Sequence, residues 1–155
     1  MRSANLLQAV LNEDWQNGGF GIYVHWPFCA AKCPYCDFNS HVQETIEEKQ
    51  WVNAYLRELD RLFQTIGPRP LKTVFFGGGT PSLMSPDLVD QILSKIFSLW
   101  PRSNDLEVSL EANPTSVEAG RFKGYQQAGV NRISLGVQAL NDADLKRLGD
   151  RKSTR

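Results

Sequence analysis

The sequence predicts an α/β fold of parallel βαβ units, curved toward a partial barrel. Three observations predict it. Strand-like and helix-like segments alternate three and a half times along the 155 residues, the pattern of a parallel sheet joined by right-handed crossovers. The third and fourth strand segments are apolar on one face only, whereas a parallel strand covered on both faces reads as continuously apolar. A helical layer would take the apolar face, and the polar face would line a lumen where Tyr23, His25, Glu111 and Gln138 converge. Glycines and polar residues also gather at the C-terminal strand ends, where barrel sites are built.

Each element has its own signal. Residues 1–20 read as a leader with one short helix, ending at Asn17-Gly18-Gly19. Gly21 to Trp26 alternates Ile22, Val24 and Trp26 with Tyr23 and His25, a strand that Pro27 stops. Residues 44–66 carry Val52, Tyr55, Leu56, Leu59, Leu62, Phe63 and Ile66 at helical spacing, closed by Gly67-Pro68. Leu71 to Phe76 is a second strand, running into Gly77-Gly78-Gly79-Thr80-Pro81. Ser85 is the expected N-cap and Pro86 the first position of a helix buried through Leu88, Val89, Ile92, Leu93, Ile96 and Phe97. Leu106, Val108 and Leu110 mark a third strand, and Ser116 to Ala128 a weaker helix closed by Gly129. Ile133, Leu135 and Val137 mark a fourth strand with Gln138 at its end, before a helix capped by Asn141 and packed through Leu145 and Leu148.

Composition narrows the function classes. Basic and acidic residues balance at 17 each, so no basic field recruits nucleic acid. No apolar run approaches the roughly 20 residues of a membrane span, which leaves only peripheral contact with a membrane. The expected location is the cytoplasm, where three cysteines within eight residues argue for metal rather than disulfides.

Those cysteines lie in Cys29-Ala30-Ala31-Lys32-Cys33-Pro34-Tyr35-Cys36-Asp37-Phe38-Asn39. Iron–sulfur clusters are usually held by four cysteines. Three on one loop would leave one iron open to an outside ligand, as catalytic zinc keeps an open position. The competing reading is zinc held by the three thiols with His25 or His41. A histidine beside a metal site is more often a hydrogen-bonded packing residue than a ligand, so neither is assigned to the cofactor. The glycine run lacks the Gly-Lys-Ser/Thr of a P-loop and is not GxGxxG; alone it is a tight strand-to-helix turn.

CxxxCxxC directly after a first strand resembles the signature of the radical S-adenosylmethionine superfamily. Tyr23-Val24-His25-Trp26-Pro27-Phe28-Cys29 and Cys33-Pro34-Tyr35-Cys36-Asp37-Phe38-Asn39-Ser40-His41 resemble the oxygen-independent coproporphyrinogen-oxidase-like family, and within it the haem-chaperone branch. The likeness runs from about Glu13 to Gly149. It implies a (β/α)6 barrel, of which the first three and a half units are present in residues 21–149. It implies a [4Fe–4S] cluster on Cys29, Cys33 and Cys36, with S-adenosylmethionine chelated on the open iron and cleaved to methionine and a 5′-deoxyadenosyl radical. It implies cofactor contacts from Tyr23, Tyr35, Gly78, Gly79, Thr80, Glu111 and Gln138, with glycine where backbone approaches the methionine amino group. The full-length parent would bind haem, take electrons from a reductant such as flavodoxin or ferredoxin, and deliver haem to acceptor proteins.

Two departures carry expectations. The oxidases proper bear a fourth cysteine two residues after the third; here Phe38 stands there, as in the chaperone branch. The family pattern also places an arginine at position 150, where this chain has Asp150, so residues 150–155 read as an atypical tail. The chain is expected to be the N-terminal part of such a protein and unstable alone, its fourth strand an uncovered edge.

Overall fold

In a computed structural model of the chain, the structure describes residues 14–148, apart from residue 44 and residues 115–118. The expected leader up to residue 13, the start of the third helix at Ser116, and the tail with Asp150 lie outside the described residues.

After a one-turn helix α1 (Trp15–Gly18), strand β1 (Phe20–Trp26) begins one residue earlier than its alternation suggests, because Phe20 already pairs with Leu71. Short strands β2 (Phe28–Cys29) and β3 (His41–Val42) pair in parallel and hold the two ends of the cysteine loop together. Helix α2 (Glu48–Ile66) starts later than residue 44. Strand β4 (Leu71–Gly78) extends two residues into the glycine run, and a 3-10 turn (Pro81–Leu83) leads to α3 (Pro86–Leu99). Strand β5 (Arg102–Ala112), α4 (Ala119–Ala128), β6 (Arg132–Leu135) and α5 (Asp142–Arg147) follow.

Strands β1, β4, β5 and β6 form one parallel sheet in that order. Each new strand joins the side of the previous one, without the reversal of an open doubly wound sheet. This one-way growth is what a barrel wall requires. One sheet face is dry: Val24, Trp26, Val74, Phe76, Val108 and Leu110 are buried in a single core with Val52 and Leu59 of α2 and Leu88, Ile92 and Ile96 of α3. The alternate residues Tyr23, Thr73 and Glu107 stay exposed on the other face. The one-sided pattern in the sequence has the expected cause: α2 and α3 pack on the apolar face.

The fourth strand differs from expectation. It ends at Leu135, so Val137 and Gln138 lie beyond it. Successive tight turns, Val137 N–H to Leu135 O and Ala139 N–H to Val137 O, curl the chain away, and Gln138 takes φ 65°. Ile133 and Leu135 are 36% and 47% exposed because no described element covers β6 on its outer side.

The predicted cap of α3 forms and gains a partner. Ser85 Oγ accepts from Leu88 N–H at 3.2 Å, while the Glu48 carboxylate accepts from Ser85 N–H at 2.9 Å and from its hydroxyl at 2.6 Å. Ser85→Ala is expected to cost about 1 kcal/mol, or a fall of about 2–4 °C in Tm for a chain of this size. Thermal melting checks this; an unchanged Tm would deny the cap a stabilising role.

Candidate functional site

The site begins where β1 meets Pro27. Pro27 interrupts the ladder, and the chain resumes as Phe28–Cys29 paired with His41–Val42. His41 N–H donates to Pro27 O at 2.7 Å, so the twelve residues from Cys29 to Ser40 leave and return at one point. Cys29 is buried, and Cys33 and Cys36 are half-buried; all three are free thiols. A turn with Cys36 N–H on Cys33 O at 3.1 Å brings the last two onto one bend. Among the described residues no three His, Cys, Asp or Glu side chains converge closely enough to hold one metal ion. All three cysteines line one cavity. A cubane takes each thiolate on a different iron, whereas tetrahedral zinc needs all its ligands within about 2.3 Å of one centre.

The glycine run is stitched to the same junction. Gly79 N–H donates to Trp26 O at 2.7 Å, and Thr80 N–H to Phe28 O at 2.8 Å. Gly78 has φ 114°, and a Cβ there would lie 2.7 Å from both the His25 ring and Trp26 O. A Cβ at Gly79 would lie 2.5 Å from Phe28 O and 3.0 Å from the Cys29 sulfur. A side chain at Gly78 would press on the end of β1, and one at Gly79 on the start of the cysteine loop. From β5, Glu111 reaches across and accepts from Gly78 N–H at 3.3 Å.

These pieces enclose a cavity of about 970 Å³, a size suited to a small-molecule ligand. Its walls include Cys29, Cys33, Cys36, Tyr35, Gly78, Gly79, Thr80, Glu111 and Gln138. Soft thiols on one wall face backbone and a carboxylate on the other, which suits a thiolate-bound cluster beside a polar ligand. Sequence reasoning did not single out Lys32, Ser134 or Asn113, which also line it. Lys32 had a signal, a lysine within the cysteine spacing, but its partners are set by the loop's fold.

Tyr23 is the predicted site residue that does not reach the cavity wall. It stacks on Phe75 with ring centroids 6.1 Å apart and approaches His25 Nδ1 at 3.3 Å. Burial first, and the Glu111 charge second, push its phenol pKa up. Its hydroxyl and His25 Nδ1 share a hydrogen bond. The four lumen residues converge in part: Glu111 and Gln138 line the cavity, His25 lies under Gly78, and Tyr23 sits behind His25. His25 Nε2 lies 3.1 Å from Asn39 O, so His25 is the hydrogen-bonded packing residue expected. His41 is exposed in β3. Tyr55, whose pKa burial pushes up to about 12, donates to His25 O at 2.6 Å and steadies the end of β1 from α2.

Residues 23–155 match the family described as "Radical SAM superfamily". The heme chaperone HemW of Escherichia coli is 46% identical over 129 residues, covering 83% of this chain and 34% of that protein. Radical S-adenosyl methionine domain-containing protein 1, mitochondrial, of Bos taurus is 42% identical over 134 residues, covering 86% of this chain and 30% of that protein. The chain spans about a third of the length of the curated relatives it matches. The solved structure of the radical SAM enzyme coproporphyrinogen III oxidase (HemN) from Escherichia coli superposes with a TM-score of 0.81 at 24% identity, covering 96% of this chain and 34% of that one. That likeness establishes the fold: a parallel α/β sheet that forms part of the radical SAM architecture. Matched from the first strand onward, with the three cysteines where the fold opens its cavity, the chain belongs to the radical S-adenosylmethionine superfamily.

Proposed function

We propose that the protein binds a [4Fe–4S] cluster through Cys29, Cys33 and Cys36 and S-adenosylmethionine beside it, and serves as a haem chaperone that passes haem to acceptor proteins. The observation that carries the cofactor reading is the single cavity bounded by all three cysteines, the Gly78–Gly79 backbone, Glu111 and Gln138. The haem reading rests on relatives named as haem chaperones.

Each cysteine would give one thiolate to one iron. When bound, cluster and cofactor together supply one-electron reductive cleavage of a sulfonium carbon–sulfur bond, with a reductant of the flavodoxin or ferredoxin class. The chain's own residues bind and orient. Gly78 and Gly79 let backbone come close to the ligand's amino group, where any side chain would collide with Trp26 O or Phe28 O. Glu111 accepts from Gly78 N–H and keeps that strand end in place. Thr80, Tyr35 and Gln138 complete the wall, with Tyr35 beside the adenosine portion. Tyr23 acts from behind, through His25.

Phe38 supports the chaperone over the oxidase. It is 58% exposed at the cavity, where the oxidases carry a fourth cysteine, and a phenyl ring neither ligates iron nor carries a proton. The protein is expected to bind haem and not to oxidise coproporphyrinogen. The test is an anaerobic assay with reductant, S-adenosylmethionine and coproporphyrinogen III, beside a haem titration by absorbance. Protoporphyrinogen at catalytic turnover would replace the chaperone reading with the oxidase.

A further inference from the structure

The return arm of the cysteine loop, Phe38-Asn39-Ser40, has no helix or sheet to satisfy its carbonyls, yet three in succession are bound by side chains. Lys32 Nζ lies 3.1 Å from Phe38 O, 3.4 Å from Ser40 O and 3.3 Å from Ser40 Oγ. His25 Nε2 lies 3.1 Å from Asn39 O. A carbonyl only accepts, so Nε2 carries a hydrogen. Lys32 sits between the first and second cysteines, and its grip closes a ring of backbone that contains both Cys33 and Cys36. An ammonium with three donors suits three acceptors.

We propose that Lys32 is a positioning residue of the cluster site: its clasp shapes the loop for three-thiolate ligation, and its charge favours the reduced cluster. This rests on the cluster reading above. Loop closure has an entropic cost, and a side chain that fixes the return arm lowers it before metal arrives. Three thiolates gather negative charge, and reduction adds one more. A positive charge held at the same loop opposes that build-up and raises the potential, which net charge and hydrogen bonding tune in such clusters. Lys32 is exposed, so water and salt trim the effect without removing it.

The test compares the wild-type protein with Lys32→Gln and Lys32→Arg after anaerobic reconstitution with iron and sulfide. The readouts are assembly rate, from the iron–sulfide absorbance, and midpoint potential, from a redox titration followed by electron paramagnetic resonance. Lys32→Gln is expected to assemble severalfold more slowly. Its one-electron reduction equilibrium should fall by about threefold, a negative shift of about 28 mV. Lys32→Arg should restore both. An unchanged potential in Lys32→Gln would overturn the proposal, even with slower assembly, because loop shape alone would then account for the lysine. Wild-type protein that takes up no iron and sulfide would overturn the cluster reading itself.

Discussion

Cys33→Ala is expected to reduce iron and acid-labile sulfide in the reconstituted protein to background. A cubane held by three thiolates has no spare protein ligand, so removing one leaves two corners open. Loss of an outer-shell partner in a metal site typically costs about 10–100-fold in affinity or activity, and loss of a ligand should exceed that. Cleavage of S-adenosylmethionine should therefore fall by at least about a hundredfold, near 2.7 kcal/mol of transition-state stabilisation. Cys33 is half-buried on a surface loop and outside the core, so circular dichroism should be unchanged. Iron and sulfide analysis with a Mössbauer spectrum decides the matter. An unchanged cluster in the variant, or zinc without sulfide in the wild type, would contradict it.

Gly78→Val is expected to abolish measurable binding of S-adenosylmethionine. A β-branched residue at φ 114° is strained at a cost of about 1–3 kcal/mol. Its Cβ must also displace both the His25 ring and Trp26 O, each 2.7 Å away. Trp26 O is the acceptor for Gly79 N–H, so the movement spreads into the loop that lines the cavity. Glu111→Ala is the gentler companion, since it leaves the backbone conformation intact and removes the acceptor of Gly78 N–H. An unsatisfied donor of this kind costs about 1–3 kcal/mol, which corresponds to a loss of roughly tenfold or more in affinity if ligand binding depends on that strand end. Titration of the cofactor into both variants separates a folding defect from a binding one. Wild-type affinity in both would remove the glycine run and Glu111 from the site.

Much of the candidate site was legible because its signals are local. Three cysteines within eight residues announce a metal loop wherever the chain goes. A glycine run at a strand end announces close backbone approach, and the structure shows what would collide at Gly78 and Gly79. Glu111 and Gln138 were readable as strand-end polar residues, and both line the cavity, although Gln138 stands in a turn past the end of β6. Tyr23 shows the limit of such reading. Alternation put it on the lumen face, but its depth along the strand leaves it stacked on Phe75, behind His25 and away from the cavity wall.

The sequence by itself determined the alternation of the four sheet strands with helices, which face of those strands is apolar, and where α3 begins. These follow from a period of 2 or 3.6, from proline and glycine, and from a cap, all imposed by near-neighbour sterics and hydrogen bonding. Only the tertiary structure decided the partners. Glu48 meets Ser85 across 37 residues, and Glu111 meets Gly78 across 33. The Lys32 clasp depends on how the cysteine loop returns to Pro27. Such contacts leave no periodic trace, because each forms only after the sheet has set the spacing between strand ends. For the same reason the C-terminal end of β6 differs from its sequence pattern: the alternation continues to Val137, but the ladder ends where the chain curls after Leu135.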